Sequence, residues 1–236
     1  MISIIIPTLN EEKYLSGLLE SIKSQKYKDI EIIVADNGSS DKTKDIAKNY
    51  GCKITAGGLP GRGRNLGARI AKGEVLLFLD ADVTLPAEFF KKTVSEFEKR
   101  GLDVASFKIV SRKGNKLIKG SFDALYNWPS TLLQDVLPHG AMGIMVKRKI
   151  FDKVGGFDEK IKLAEDHYFV RQASEIGKFG IISSVKIFTS LRRFRQDGYV
   201  RTLYKYFLAE ISMLSGKPPK PIVEYKFGHY GKKKKD

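Results

Sequence analysis

The 236-residue sequence contains a single cysteine, Cys52. One thiol closes no internal disulfide, which excludes a disulfide-stapled secreted scaffold and suits a reducing compartment. Long apolar runs are also missing, and nothing approaches the ~20 residues that a helix needs to cross a bilayer. The opening "MISIIIPTLNEE" has neither a basic leader region nor a small-residue cleavage site, so the sequence predicts no signal peptide. There is no internal repeat and no low-complexity linker ahead of the last residues. Acids are outnumbered: 27 Asp and Glu face 42 Lys and Arg, a net charge of +15. Nucleic acid, anionic lipid and phosphorylated small molecules all suit such a charge. Part of the excess lies in the terminal "KKKKD", which reads as a frayed tail. The rest is scattered, so charge by itself singles out no partner.

What is present is enough chain to bury a large core, and an alternation of two periodicities. "ISIIIP" reads as a buried strand, followed by a helix over about residues 11 to 26. "IEIIVAD" is a second strand, and a helix follows "NGSSDKT". "KIT" is a short strand, residues 62 to 72 form a helix, and "EVLLFLDA" is the next strand. Short apolar strands alternating with helices predict a mostly parallel sheet covered on both faces. Ligands of such sheets bind beyond the carboxyl ends of the strands. After residue 102, "LDVASFKIV" and "GAMGIMVKR" read as strands flanking an irregular segment with "YNWPSTLLQDVLP". "GGFDE" reads as a turn and "LAEDHYFVRQASEIG" as a helix. From Tyr199 to Leu214, Val200, Leu203, Tyr204, Phe207, Leu208, Ile211 and Leu214 repeat on one helical face, and "GKPPKP" ends it.

The stretch "LLFLDADV" poses the chemical question. Asp80 and Asp82 share a face at a strand end, roughly 7 Å apart. At an effective dielectric near 20 they repel by about 2 kcal/mol. A divalent cation with oxygen ligands offsets that repulsion, and such an ion completes its shell with phosphates and water. Asp36 closes the second strand, where its carboxylate can accept N–H donors from a uracil or guanine edge. Ser40 or Asp41 is placed to cap the helix that follows. In "GGLPGRGRNLGARIAKGE" the glycines miss the dinucleotide spacing, because Leu66 stands where a glycine is needed. Arg62, Arg64 and Asn65 remain there as contacts for a base or a diphosphate. In "AEDHYFVRQA", Asp166 shares a face with Phe169, Val170 and Ala173, so periodicity points it inward. An ionised, sheltered carboxylate in the first turn of a helix suits a general base, with Glu165 beside it. His139, and Arg192, Arg193 and Arg195 of "LRRFRQDG", are candidate acceptor, metal or phosphate contacts.

Together "SIIIPTLNEE", "VADNGSSDKT", "GRGRNLGARIAKGEVLLFLDADV" and "GGFDEKIKLAEDHYFVRQA" resemble, in order, the family 2 glycosyltransferases of GT-A fold, over residues 3 to about 173. The resemblance extends to dolichyl-phosphate mannose synthases. It implies an α/β fold with a Rossmann-like, mostly parallel central sheet, and inverting transfer from a nucleotide sugar to an acceptor hydroxyl. It implies that Pro7, Thr8 and Glu11 line the nucleoside pocket with Asp36 on the base. Asp80 and Asp82 then hold a Mg or Mn ion and the diphosphate, Arg64 and Asn65 contact the donor, and Asp166 deprotonates the acceptor. The family's processive "QxxRW" segment is lacking, which favours transfer of one sugar. The expected organisation is a catalytic domain over 1–195, an amphipathic helical segment over 196–216 that can lie on a membrane, and a basic tail over 217–236. Expected partners are a GDP- or UDP-linked donor, with GDP-mannose preferred, and a lipid-linked acceptor at the cytoplasmic face of a membrane, with no nucleic acid. A polyprenyl-phosphate acceptor is the alternative. A sugar-phosphate nucleotidyltransferase is a weaker one, since "PTLNEEKY" occupies the place of its phosphate loop.

Overall fold

The computed structural model describes residues 1–111, 124, 127–140, 142–190 and 192. The predicted helix from Tyr199 to Leu214, the basic tail, Arg193 and Arg195 lie outside them. The first half follows the expected alternation: β1 (Ile2–Thr8), α1 (Leu15–Lys23), β2 (Ile30–Asp36), α2 (Thr43–Asn49), β3 (Lys53–Ala56), α3 (Pro60–Ile70) and β4 (Val75–Leu79). Then come β5 (Val83–Thr84), α4 (Phe89–Lys99), β6 (Val104–Ser111), α5 (Trp128–Leu132), β7 (Gly143–Lys147), α6 (Arg148–Val154), α7 (Glu165–Ile176) and β8 (Phe179–Thr189). The strands form one sheet in the order β3-β2-β1-β4-β7-β6-β8-β5.

Strand β1 is buried along its whole length because both faces of the sheet are covered. Ile4 and Ile6 join a core with Leu15, Leu18, Leu19 and Ile22 of α1, which recur at helical spacing on one face. Ile5 points the other way, into a second core with Phe78, Phe151, Phe157 and Phe169. The glycines of α3 belong to that second face. A Cβ on Gly67 would lie 2.4 Å from Ile5 Cγ2, and one on Gly63 would lie 3.2 Å from Pro7 Cβ. They let the helix sit directly on β1, and so serve packing.

Strands β1 to β4 run parallel. Strand β7 runs antiparallel to both β4 and β6, and β8 runs parallel to β6. Two reversals through β7 restore the original direction. The carboxyl ends of β1, β2, β4, β6 and β8 therefore open at one edge, which gathers residues from Thr8 to Ser190.

Two departures from the sequence reading have local causes. Residues 11 to 14 form a turn ahead of α1, and the N–H groups of Glu11 and Glu12 tie that turn to Thr43 Oγ1 (2.7 Å) and Asp41 Oδ2 (3.0 Å) at the start of α2. The long strand β8 was not anticipated. Its alternation is broken by the exposed pair Ser183 and Ser184, where its register against β6 shifts and Glu96 accepts both backbone N–H groups. No helix among the described residues is long and apolar enough to cross a membrane.

Candidate active site

The crevice starts where β1 and β2 end. Thr8 lies directly opposite Asp36 in register, and its hydroxyl donates to Asp36 Oδ2 at 3.1 Å. Ser39 adds its N–H to Oδ1 at 2.9 Å and its hydroxyl to Oδ2 at 2.5 Å. A carboxylate offers about four lone-pair sites, so three internal donors leave Asp36 room for one ligand N–H. Ser39 is a site residue that the sequence reading passed over, although its place three residues after an acid at a strand end was a usable signal. Of the two expected caps, Asp41 engages α2: its Oδ1 accepts from the N–H and the hydroxyl of Thr43.

Arg64 is the hub of the floor. Its side chain is only 5% exposed, yet it carries a charge between two acids. Its Nη1 donates to Glu165 Oε1 at 2.5 Å and its Nη2 to Asp80 Oδ1 at 2.8 Å. Burial alone would weaken the guanidinium's hold on its proton, but Glu165, Asp80 and Asp166 around it raise its pKa above the usual arginine value. The forked group reaches two acids on different elements at once, which a lysine point charge does less well. Phe157 lies beneath it, with the guanidinium carbon 5.3 Å from the ring centre. Asn65, expected to contact the donor, is directed elsewhere. Its carboxamide donates to Phe157 O (2.8 Å) and accepts from Phe157 N–H (2.9 Å), which ties α3 to the "GGFDE" turn.

A second arginine closes the opposite wall. Arg192 forks onto Glu11 at 2.8 and 3.1 Å, and its Nη2 stands 3.4 Å from Asp82 Oδ2. Its guanidinium lies 4.8 Å from the centre of the Tyr14 ring. Ser190 donates to the same Asp82 oxygen at 2.5 Å. Neither Tyr14 nor Ser190 was anticipated, because the contacts join residues more than 100 positions apart.

The acidic pair at the start of α7 reverses one expectation. Glu165, not Asp166, is the buried member. Helical periodicity placed Asp166 on the inner face, but α7 begins only at Glu165, after Ala164 in the left-handed region (φ 59°). That entry turns Glu165 onto Arg64. The Asp166 side chain remains 19% exposed. Its one hydrogen bond with the described residues is accepted from the His167 N–H at 2.9 Å. His167 is buried, and its ring packs against His139 with centroids 4.5 Å apart. A Cβ on Gly140 would fall 2.7 Å from the Asp166 carbonyl, so the segment after His139 lies tightly on the start of α7.

Of the predicted residues, Pro7, Thr8, Glu11, Asp36, Arg64, Asp80, Asp82, Glu165, Asp166 and Arg192 border this edge. Arg193 lies outside the described residues. As a metal site the donor set is hard oxygen: Asp80 and Asp82 at the strand end. Among the described residues no group of three or more His, Cys, Asp or Glu side chains is arranged to hold an ion. The fit is to an ion held by one or two carboxylates, its other positions left to phosphate and water oxygens.

Residues 3–155 match glycosyl transferase family 2. The chain is 30% identical over 183 residues to the poly(ribitol-phosphate) beta-N-acetylglucosaminyltransferase TarS of Staphylococcus aureus, covering 72% of this chain and 32% of TarS. It thus spans about a third of that relative's length. An uncharacterised glycosyltransferase of Methanocaldococcus jannaschii is 30% identical over 230 residues, covering 88% of this chain and 77% of the relative. Among solved structures, S. aureus TarS 1-349 in complex with UDP-GlcNAc superposes with a TM-score of 0.68 at 24% identity, covering 89% and 66% of the two chains. The Pyrobaculum calidifontis mannosyltransferase in complex with GDP-Man and Mn2+ gives 0.65 at 19% identity, covering 87% and 64%. Both likenesses are in the fold.

Proposed function

The chain belongs to glycosyl transferase family 2, and from that membership we propose that it moves a single sugar, with inversion, from a nucleoside-diphosphate sugar to an acceptor hydroxyl. The observation that carries this reading is the asymmetry of two adjacent acids. Glu165 is locked to Arg64, which also grips Asp80, while Asp166 accepts a single hydrogen bond among the described residues. One guanidinium thereby fixes the start of α7 relative to the Asp80 end of β4. Asp166 is the base that takes the acceptor's proton as its oxygen attacks the anomeric carbon. Glu165 and Arg64 position it. Thr8, Glu11 and Asp36 border the nucleoside, and Asp36 has the lone-pair capacity to accept one base N–H.

Asp80 and Asp82 would hold a Mg or Mn ion, which when bound offsets the negative charge developing on the departing diphosphate. We assign the donor to the UDP-linked class. The TarS relative is named for N-acetylglucosamine transfer, and its fold is known with UDP-GlcNAc. The expected GDP-mannose is favoured only by a fold likeness at 19% identity. An ionised phosphate acceptor needs no base, so a sheltered carboxylate at Asp166 with one internal hydrogen bond among the described residues favours a hydroxyl over a polyprenyl phosphate.

The acceptor is proposed to be carried on an anionic lipid surface. Support comes from the net charge of +15 and from exposed apolar residues in and just after α5. Trp128, Leu132 and Val136 are 67%, 65% and 77% exposed. Earlier in the sequence, "RKGNKLIKG" carries four basic residues and no acid. Such a pairing of apolar and basic groups suits an anionic bilayer surface.

The deciding experiment combines transfer and binding. Asp166→Asn is expected to lose transfer to a hydroxyl acceptor while taking up UDP with Mn2+ as the wild type does. Full transfer by that variant overturns the assignment.

A further inference from the structure

Arg64 and Arg192 both pair with the acids of "DAD", but they are held in different ways. Arg64 has its guanidinium enclosed where α3, the end of β4 and α7 meet, with a side chain only 5% exposed. Arg192 comes from beyond β8, three residues past Thr189, and its side chain is 21% exposed. It spans the mouth of the crevice, with two hydrogen bonds to Glu11, an ion pair to Asp82 and a face on Tyr14.

We infer that Arg192 is an exchangeable counter-ion of the donor site, holding Glu11 and Asp82 until a metal–nucleotide complex enters and then passing to the donor's diphosphate. The inference rests on the proposed nucleoside-diphosphate donor. The reasoning is one of charge. The guanidinium stands 3.4 Å from Asp82 Oδ2, an oxygen that also accepts from Ser190. A divalent ion on Asp82 would sit against that positive group and be repelled by it. A diphosphate reverses the balance. It brings several anionic oxygens and more negative charge than one carboxylate, and a forked guanidinium pairs with phosphate as readily as it pairs with Glu11.

Arg192 therefore acts with opposite sign on two ligands. It competes with a bare divalent ion and it attracts the ion–nucleotide pair. The crevice is thereby biased toward taking its metal together with the nucleotide. A residue that merely braced the wall would, on removal, weaken both kinds of binding.

The experiment measures two affinities on the full chain: Mn2+ alone, from the spin-resonance signal of free Mn2+, and UDP or GDP at saturating Mn2+, by calorimetry. Arg192→Ala is expected to bind Mn2+ alone about two- to fivefold more tightly, the scale of a partly exposed ion pair. It is expected to bind the nucleotide about tenfold more weakly, the scale of a charge-assisted hydrogen bond. Arg192→Lys keeps the charge and loses the fork, so its nucleotide affinity should fall between the two. Mn2+ uptake by Arg192→Ala that is no tighter than that of the wild type overturns the inference, as does unchanged nucleotide affinity. If the wild type takes up neither UDP nor GDP, the functional reading fails first and takes this inference with it. If the wild type binds nucleotide and the variant loses both affinities together, only the exchange is refuted.

Discussion

The two ends of the same sheet treat their carboxylates in opposite ways. At the amino edge, Glu31 of β2 lies beside Ser3 of β1 in register. It accepts from the Ser3 hydroxyl (2.6 Å), the Lys72 N–H (2.5 Å) and Lys53 Nζ (2.7 Å). Burial pushes its pKa up, but these donors outweigh it and hold the carboxyl at about 2. Nearby, Arg148 donates to the carbonyls of Ala68, Ala71 and Gly73 at the end of α3. At the carboxyl edge, Asp80, Glu165 and Asp166 surround Arg64, and Glu11 and Asp82 pair with Arg192. One acid closed by three internal donors, a lysine among them, is architecture. Five acids sharing two arginines leave an excess of negative charge that a divalent cation offsets.

That contrast can be broken from either end. The largest effect is expected at Asp166, where replacement by Asn should lower kcat by about 10²- to 10⁴-fold, the scale of general-base catalysis. Steady-state kinetics with a hydroxyl acceptor checks it. Arg64→Met should strand Glu165 and Asp80 without their shared cation. A loss of about 3 kcal/mol in urea unfolding is expected, the lower end for breaking a buried ion pair, since Asp80 is partly exposed. Unchanged stability would mean that Arg64 serves the ligand alone. Between the two edges, Gly67→Ala forces a methyl toward Ile5 and should cost about 1–3 kcal/mol by overpacking.

The smallest effect belongs to the amino edge and depends on pH. Glu31 has a folded pKa lowered to about 2 from a model-compound value of 4.5. Its contribution is therefore complete above pH 4.5 and disappears as pH falls toward 2. Allowing for screening at the exposed Lys53, Glu31→Gln should destabilise by about 1–2 kcal/mol at pH 7. The difference from wild type should shrink steadily below pH 4.5, and a penalty independent of pH would reassign Glu31 to packing.

How much of this was legible in the sequence follows from how local each signal is. The apolar runs of β1, β2 and β4, and the acids that end them, are local, and the edge that bears the candidate site could be drawn from them. Strand β8 was hidden because Ser183 and Ser184 interrupt its alternation where the register slips. Which of Glu165 and Asp166 turns inward depends on Arg64, a partner 101 positions away, and periodicity carries no information about it. The Arg192–Glu11 pair spans 181 positions. The glycines of α3 were legible as a pattern that fails the dinucleotide spacing. Their positive role, close approach to Ile5 and Pro7, needed the packed sheet.

The central claim is that Asp80 and Asp82 hold a cation shared with a nucleotide's diphosphate. Its most direct test is calorimetric titration of UDP into the pure protein with Mn2+, repeated with EDTA and with the Asp80→Asn/Asp82→Asn double variant. The prediction is uptake that both the chelator and the double substitution abolish. UDP uptake of equal strength in all three would contradict the account.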